Sequence, residues 1–415
     1  MKTFKFSSHM IKKNFQDDER ELLMRVLLTT HPIASHFTLL IPIGKAFQKV
    51  GHSVAVASAS DFHPFVIGAG FSALVSEPDW KTDSDIARVM AEQERYLGGD
   101  HAAFVVQNLF IRTVGKRSLN LMEKAIDSWN PDIIISEITE FTARLVAERK
   151  GLPVATVHFG IDMGKSVWKN IIKDALDDLR IDAGLSKDPQ LNLMTGELSL
   201  CLAPSSYQPK NDIVSDNCHF FRPSQTDQIY EEGLPSWIED LPDRPNVYAT
   251  LGNAFGSMQW IFEKIIDGLS SEHVNTIITV GHGINPGNLR ARSSNLHVER
   301  FIPNSLLLPR CQVVICHAGY GTVMGSLTAG LPMVLIPLAA DQFHHAARCT
   351  ELGVAMIINK NDITPQTIRH AVRKMLYSYN YKLCAKKMKE DIDNTPDVEN
   401  SISLFENMVR TRKSW

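Results

Sequence analysis

Short apolar runs alternate with helix-length segments along most of the chain. Residues 24–30 and 53–57 are two such runs, each rich in aliphatic side chains, and the segment 37–50 between them has the length of a helix. Continuous apolar runs of this kind are typical of parallel strands that are buried on both faces. The succession of strand, helix and strand therefore predicts an α/β fold with a parallel sheet.

The alternation is interrupted near the middle of the chain. Residues 207–246 are rich in proline, aspartate and asparagine, which break regular structure and predict an inter-domain linker. With 415 residues, the chain also exceeds the usual size of a single core, so we predict two α/β domains. The predicted division is an N-terminal extension (1–23), a first domain (24–206), the linker (207–246), a second domain (247–390) and a C-terminal helix (391–415).

A strand–turn–helix unit in the second half predicts an anion-binding site. The apolar run 313–316 predicts a strand, and residues 323–329 predict a helix. The N-terminus of such a helix favours a negative charge, because its first N–H groups have no partners within the helix. The turn carries groups that suit a phosphate, namely His317 as a donor, Gly319 and Gly321 for close backbone approach, and Thr322 as a helix cap and hydroxyl donor.

A second apolar run, 333–338, follows the helix and leads to Asp341 and Gln342. These two side chains are predicted beyond the carboxyl end of a parallel strand, where open α/β sheets bind their ligands. A carboxylate accepts hydrogen bonds, whereas an amide both donates and accepts them, and this combination suits the hydroxyl groups of a sugar. The unit therefore predicts a ligand in which a phosphate is joined to a polyhydroxylated group.

These residues resemble the nucleotide-sugar signature of family 1 glycosyltransferases, which have the GT-B fold. The resemblance is strongest to the bacterial branch that glycosylates macrolides, enediynes and other natural products, and it runs from residue 24 to the mid-380s. It implies two Rossmann-like domains that face a cleft, the first binding the acceptor and the second the nucleotide sugar. It also implies a C-terminal helix that crosses back to the N-terminal domain. The matched positions are Phe301, Ile302, Pro303, His317, Gly319, Gly321, Thr322, Gly330, Pro332, Asp341 and Gln342.

The resemblance also implies contacts to the base and the diphosphate of the donor. Gly325 stands where plant members have a glutamate that binds the ribose hydroxyls. A site built for a ribose diol needs such a partner, because a buried hydroxyl without one costs about 1–3 kcal/mol. Glycine at this position therefore favours a dTDP-sugar donor over a UDP-sugar. The implied contacts are Phe301, Ile302 and Pro303 for the base, and Gly252 and Asn253 for the diphosphate.

Two residues of the first domain are predicted to carry the chemistry. His36, in the loop after the first predicted strand, falls on the catalytic histidine of the family. Glu137 ends the strand predicted at 131–137, where the family usually has an aspartate that pairs with this histidine. A neutral imidazole takes a proton from a hydroxyl, and a carboxylate on its other nitrogen fixes the tautomer. The glutamate, with its longer reach, and Ser35 in place of a glycine depart from the family pattern.

With these residues, the resemblance implies an inverting glycosyltransferase that moves a sugar from a nucleotide diphosphate sugar to a hydroxyl of a small, largely apolar natural product such as a polyketide. Aromatic side chains in residues 79–110 and 161–191 belong either to the core or to the acceptor pocket. Two other classes stay open, a nucleotide-sugar epimerase of the same fold and a non-catalytic helper of a partner transferase. A dehydrogenase is a weaker alternative, because Gly319, Gly321 and Gly325 match the dinucleotide-binding fingerprint only loosely.

Composition limits the partners and the location. A net charge of -3 argues against nucleic acid, which usually requires a basic face. No apolar run approaches the length that spans a bilayer, so no stable membrane insertion is predicted. The six cysteines form no CxxC pair, and residues 1–23 lack the apolar segment of a secretory signal. The cytoplasm is therefore the predicted location, and a homodimer is compatible with the sequence.

A metal ion is not predicted. Asp83 and Asp85 superficially resemble the metal-binding DxD of other glycosyltransferases, but they precede a helical segment, where capping is the better interpretation. His317, His344 and His345 lack the spacing of a zinc-binding helix. We expect the helix N-terminus to stabilise the diphosphate instead, with the sugar nucleotide as a co-substrate and no cofactor.

Overall fold

The computed structural model describes residues 23–93, 95–96, 98–194, 196–210, 214–224, 233–252, 258–289 and 295–413. These residues form two parallel β-sheets, each with a buried apolar cluster on both of its faces. Two α/β domains are thus present, as the strand–helix alternation predicts.

The first sheet has seven strands among the described residues, in the order β3-β2-β1-β4-β5-β6-β7, and all neighbours are parallel. Its central strands β1, β4 and β5 are largely apolar and almost entirely buried, which is typical of parallel strands that are packed between helices. The strands are β1 (Arg25–Thr29), β2 (Ser53–Ala59), β3 (Ser72–Glu77), β4 (Ile133–Glu137), β5 (Val154–His158), β6 (Leu198–Cys201) and β7 (Cys218–Phe220).

The second sheet has six parallel strands among the described residues, in the order β10-β9-β8-β11-β12-β13. In both sheets the strand order reverses beside the first strand of the domain, at β1/β4 and at β8/β11. Such a switch point leaves a crevice at the carboxyl ends of the strands, where ligands bind. The strands are β8 (Asn246–Thr250), β9 (Asn275–Thr279), β10 (Leu296–Glu299), β11 (Val313–Cys316), β12 (Met333–Leu335) and β13 (Ala355–Ile357).

Helices fill the connections between the strands, and an 11-residue π-helix, Val105–Gly115, interrupts the long helical region before β4. The first domain has α1 (Ala34–Lys49), α2 (His63–Gly68), α3 (Ser84–Gln93), α4 (Gly98–Phe104), α5 (Lys116–Trp129), α6 (Thr142–Lys150) and α7 (Gly164–Asp182). The rest of the chain has α8 (Gln259–Leu269), α9 (Asn304–Leu307), α10 (Tyr320–Thr328), α11 (Gln342–Glu351), α12 (Pro365–Tyr377), α13 (Tyr379–Asp393) and α14 (Ile402–Lys413).

The structure corrects the predicted linker. Residues 207–246 contain β7, whose main chain pairs with β6, so the first sheet extends to Phe220, beyond the predicted boundary at residue 206. This strand has only three residues, which are half-buried, so its apolar signal is too weak to distinguish it from the surrounding breakers. A short 3₁₀ turn, Ser236–Ile238, lies in the same segment.

The C-terminal helix packs against the first domain, which confirms the prediction. The preceding helix, α13, buries Ala385, Met388 and Ile392 in the core of the second domain. The chain then crosses over, and Phe405 and Val409 of α14 are buried in the cluster between the first sheet and α1. Among the described residues, no helix has both the length and the apolar character needed to cross a membrane.

Candidate active site

His36 and Glu137 meet at the switch point of the first sheet. His36 is the third residue of α1, and Glu137 is the last residue of β4, which lies beside β1. His36 Nδ1 lies 3.1 Å from Glu137 Oε1. The Glu137 side chain is 0% exposed and the His36 side chain 15% exposed. The structure thus places the two predicted residues in contact, with the imidazole on the solvent-facing side of the pair.

Thr139 fixes the orientation of the Glu137 carboxylate. Its main-chain N–H donates to Oε2 at 2.6 Å, and its hydroxyl oxygen lies 2.8 Å from each carboxylate oxygen. Burial raises the pKa of Glu137, but the charge and hydrogen bond of His36, with smaller contributions from His31 and Thr139, outweigh burial and lower the pKa to about 2. An ionised carboxylate accepts the Nδ1 proton of His36, and Nε2 of that tautomer is the basic nitrogen.

Aromatic rings border the exposed side of His36. The Phe159 ring meets the imidazole edge-on at a centroid distance of 4.8 Å, and Phe110 of the π-helix lies at 6.0 Å. Phe110 is buried, whereas Phe159 is partly exposed. A substrate that approaches His36 therefore meets an apolar surface beside one basic nitrogen.

The predicted anion site lies at the switch point of the second sheet. The chain leaves β11, passes through Ala318 with a φ of +66°, and enters α10 with Gly319 as the N-cap. The helix therefore begins at Tyr320, three residues before the predicted start. Gly321, in the first turn, would place a Cβ in open space, so the backbone there is accessible to a ligand.

Thr322 does not cap the helix, and this part of the prediction is wrong. It is the third residue of α10, the N-cap is Gly319, and no side chain caps the helix. The reason is that Gly319 already adopts the extended conformation of an N-cap, with φ -67° and ψ 143°. The Thr322 hydroxyl nevertheless lies in the first turn, where the helix dipole favours an anion.

His317 is enclosed by two of the predicted glycines. A Cβ on Gly319 would lie 2.4 Å from His317 Nε2, and a Cβ on Gly252 would lie 2.9 Å from His317 Cε1. Burial lowers the pKa of His317 to about 4, although the Asp341 carboxylate acts in the opposite direction. The ring is therefore neutral at pH 7. It offers a hydrogen-bond donor to a phosphate without the cost of burying a charge.

Asp341 and Gln342 follow β12, as predicted, and each is held by further contacts. Gln342 Oε1 accepts from the main-chain N–H groups of Leu338 and Ala339 at 2.8 and 3.0 Å, which identifies the other end of the amide as the NH₂ donor. Asp341 Oδ2 lies 3.3 Å from His345 Nε2. Burial opposes the charge of Asp341, but His345 outweighs burial and lowers its pKa.

Sequence reasoning assigns no role to His345. Its Nε2 contacts Asp341, and its Nδ1 lies 2.9 Å from the hydroxyl of Tyr207, so the ring fixes one side of the predicted sugar-binding carboxylate. The signal that points to it is its position four residues after Asp341, one helical turn along α11.

The three predicted base-binding residues differ in exposure. Phe301 is partly exposed at the end of β10, Ile302 is 1% exposed and belongs to the core of the second domain, and Pro303 is the N-cap of α9. A ring that stacks on a base must be accessible, so Phe301 is the residue of this group that fits the role. Gly252 is at the end of the β8 turn with a φ of +70°, and Asn253 lies outside the described residues.

The two sites approach each other through Tyr320, the first residue of α10. Its hydroxyl donates to the Leu202 carbonyl oxygen of the first domain at 2.8 Å. Its ring lies against Gly160, where a Cβ would be 2.7 Å from the ring. Gly160 follows Phe159, which borders His36. The N-terminus of the helix at the anion site therefore contacts the segment that flanks the histidine.

Asp83 caps α3, as predicted. Its Oδ1 accepts from the main-chain N–H groups of Asp85 and Ile86 at 3.0 and 3.1 Å, and its carboxylate also pairs with Arg117. These contacts account for Asp83, whereas Asp85 is the second residue of α3 and pairs with Arg88. Among the described residues, no group of three or more histidine, cysteine, aspartate or glutamate side chains has the geometry to hold a metal ion.

Comparison with known proteins places this architecture in a family. Residues 45–252 match the N-terminal domain, and residues 263–408 the C-terminal domain, of the model for erythromycin biosynthesis protein CIII-like proteins. The NDP-glycosyltransferase YjiC of Bacillus subtilis (strain 168) is 23% identical over 392 residues, covering 91% of this chain and 96% of that protein. The L-demethylnoviosyl transferase of Streptomyces niveus is 27% identical over 346 residues, covering 80% and 84%.

Solved structures show the same fold. The glycosyltransferase VinC, determined in complex with dTDP, superimposes with a TM-score of 0.76 at 20% identity, covering 94% of this chain and 100% of that one. The two parallel-sheet domains and the returning C-terminal helix thus form the GT-B fold. The family models and the relatives identify the chain as a glycosyltransferase of the antibiotic-biosynthesis type. The chain belongs to the erythromycin biosynthesis protein CIII-like family.

Proposed function

We propose that the protein transfers a sugar, with inversion, from a dTDP-sugar to a hydroxyl group of a small, largely apolar natural product such as a polyketide. The observation that carries the proposal is the contact of 3.1 Å between His36 and Glu137, a buried carboxylate paired with a more exposed imidazole. Such a pair supplies a general base. A UDP-sugar is the second donor class to test.

In the proposed reaction, the pair of His36 and Glu137 activates the acceptor hydroxyl. His36 Nε2 removes the proton from the acceptor hydroxyl, while Glu137 stabilises the imidazolium that forms. The acceptor oxygen forms a bond to the anomeric carbon from the face opposite the leaving group, and the bond between that carbon and the diphosphate oxygen breaks. The products are an inverted glycoside and a nucleoside diphosphate, and the proton returns from His36 to solvent.

The turn at α10 supports the departure of the diphosphate. The donors proposed to bind the diphosphate are the N–H groups of the first turn, the backbone at Gly319 and Gly321, the Thr322 hydroxyl and the neutral ring of His317. Fixed donors of this kind stabilise negative charge as it develops, without reorganising during the reaction. Asp341 and the amide nitrogen of Gln342 are proposed to hold hydroxyl groups of the transferred sugar.

The preference for dTDP rests on Gly325. This residue is buried within α10 and offers no side chain to a ribose hydroxyl. A dTDP-sugar lacks the 2′-hydroxyl that would otherwise require a partner. The dTDP complex of the similar protein VinC supports the same donor class. The apolar acceptor is supported by the rings of Phe110 and Phe159 beside His36.

The first test combines binding and turnover. Calorimetry with dTDP, UDP and NAD should show the tightest binding for dTDP, and incubation with dTDP-sugars and a set of polyketide acceptors should give a mass-shifted glycoside. His36→Ala should reduce transfer about 100- to 10,000-fold, the contribution expected of a general base, while dTDP affinity stays within about twofold.

Other outcomes identify the alternatives. An altered nucleotide sugar formed without any acceptor would indicate an epimerase, and nucleotide binding without any conversion would indicate a non-catalytic helper. Binding of NAD alone would contradict the nucleotide-sugar site itself. A large loss of dTDP affinity in the His36→Ala variant would contradict the assignment of this residue to the acceptor side.

A further inference from the structure

His31 forms a second buried histidine–carboxylate contact behind the first. It lies between β1 and α1 and is 1% exposed. Its Nδ1 lies 2.7 Å from Glu77 Oε1 at the end of β3, and its Nε2 lies 3.2 Å from the main-chain carbonyl oxygen of Thr139. The other oxygen of Glu77 accepts from Trp80 Nε1 at 3.0 Å.

These partners determine the protonation state of His31. A carbonyl oxygen only accepts hydrogen bonds, and an ionised carboxylate only accepts them. With Glu77 as a carboxylate, both ring nitrogens carry a proton, and the ring is an imidazolium cation. Burial opposes that charge, but the charge and hydrogen bond of Glu77 outweigh burial and raise the pKa of His31 to about 9.

Thr139 connects this cation to the proposed catalytic pair. Its carbonyl oxygen accepts from His31, while its N–H and hydroxyl groups contact Glu137 at 2.6 and 2.8 Å. Glu137 in turn contacts His36. Thr139, in the loop after β4, is thus held by His31. The same residue fixes the carboxylate of Glu137, and this carboxylate orients His36.

The π-helix holds the His31 ring from the other side. Phe110 stacks on it at a centroid distance of 4.3 Å with an interplanar angle of 20°. The His31 and His36 rings are 6.3 Å apart, so the cation is near the reacting base but is covered by other side chains. A residue buried in this way does not touch the acceptor and acts only through its neighbours.

We propose that His31 is a positioning residue for sugar transfer, which acts as a permanent imidazolium clamped between Glu77 and the Thr139 carbonyl and thereby fixes Glu137 against His36. The proposal rests on the proposed role of His36 as the base. It assigns to the Glu77–His31 pair a task that is separate from proton transfer, because the hydrogen bonds of His31 go to Glu77 and Thr139 and those of His36 to Glu137 and Thr139. Loss of the clamp should misplace the base without affecting the donor site in the other domain.

The test is the His31→Gln variant. A glutamine amide carries no charge. It can donate to Glu77 or to the Thr139 carbonyl oxygen, but its single NH₂ group cannot bridge the two acceptors as the two ring nitrogens of an imidazole do. We expect kcat to fall about 10- to 100-fold, the effect of a base displaced by about 1 Å, while the donor KM and the Kd for dTDP stay within about twofold. The matched control is His52→Gln, a buried histidine at the opposite end of the same sheet, which should leave kcat within about twofold.

A double-substitution experiment tests the route of the effect. If His31 acts through Glu137, His31→Gln should cost little in a Glu137→Gln background, because coupled residues are non-additive. Losses that multiply in the double variant would overturn the proposal, as would wild-type kcat in a folded His31→Gln protein. If His31→Gln does not fold, Glu77→Gln replaces it, with a selective fall in kcat as support and an unchanged kcat as contradiction.

A spectroscopic measurement separates this inference from the proposed function. NMR of protein labelled with ¹⁵N-histidine measures the protonation of each ring. The signals of His31 are assigned by their absence in the His31→Gln variant, and in the wild-type protein they should show both ring nitrogens protonated at pH 7.5. A single protonated nitrogen would overturn the proposal even in an active enzyme. If the wild-type protein transfers no sugar from any donor, the proposed function fails, whereas the protonation result still decides whether His31 is the predicted cation.

Discussion

At the scale of single residues, the donor site depends on the fit between one imidazole and two glycines. Two features exclude a side chain at position 252: Gly252 has a φ of +70°, and the His317 ring lies close to it. Gly319 has an ordinary φ of -67°, so only the His317 ring excludes a side chain there. Gly252 and Gly319 therefore both make room for the buried ring of His317.

Gly319→Ala should weaken nucleotide binding through this steric conflict. The backbone tolerates alanine, but the new Cβ would lie 2.4 Å from His317 Nε2 and must displace the ring. Loss of a hydrogen bond to a charged phosphate, worth about 1.5–3 kcal/mol, predicts a 10- to 100-fold higher Kd for dTDP by calorimetry. Gly68→Ala, at an exposed glycine with open space around it, is the control. Unchanged dTDP affinity in Gly319→Ala would show that His317 does not contact the phosphate.

At the scale of secondary-structure elements, strands that form a continuous apolar run are predicted well. The strand at Val313–Cys316 has the predicted bounds, because its four residues are all apolar and polar residues flank them. The π-helix Val105–Gly115, which lies between α4 and α5, is not predicted from the sequence. Its altered hydrogen bonding has no distinct residue pattern, so hydrophobic spacing does not reveal it.

Contacts between residues that are far apart in the sequence are the part of the site that is hardest to predict. His36 and Glu137 are 101 residues apart, and their pairing was predicted only because a family resemblance aligned both. The contacts of His31 with Glu77 and Thr139 span 46 and 108 residues and have no counterpart in a motif. Only the parallel order of β1, β3 and β4 brings these side chains to one edge.

The C-terminal helix offers a test of how elements hold the first domain together. Phe405 in α14 is fully buried, and its ring lies 5.1 Å from the ring of Phe47 in α1. Phe405→Ala should lower the free energy of unfolding by about 3–5 kcal/mol, the usual cost of a large buried cavity. Urea denaturation monitored by circular dichroism measures the change. Leu383→Ala, at a half-exposed position in α13, should cost far less, and equal losses would contradict the packing of α14.

At the scale of the whole molecule, the proposed base and the donor site lie on different domains. Transfer therefore requires a fixed distance between the two sheets, and this distance depends on contacts across the cleft. Tyr320, in the first turn of α10, makes such a contact with Leu202, the residue that directly follows β6. A nucleotide that orders α10 would thus also act on the position of the first domain.

Tyr320→Phe should separate nucleotide binding from turnover. The variant keeps the ring against Gly160 but loses the hydrogen bond of 2.8 Å to the Leu202 carbonyl oxygen. A net loss of about 0.5–1.5 kcal/mol in the closed arrangement predicts a two- to tenfold fall in kcat/KM for the acceptor at saturating donor, with the Kd for dTDP unchanged. Tyr377→Phe, at a tyrosine that is 75% exposed, is the control. If Tyr320→Phe instead weakened dTDP binding and left acceptor turnover intact, the hydroxyl would serve the donor site alone, and the link between the domains would have to lie in other contacts.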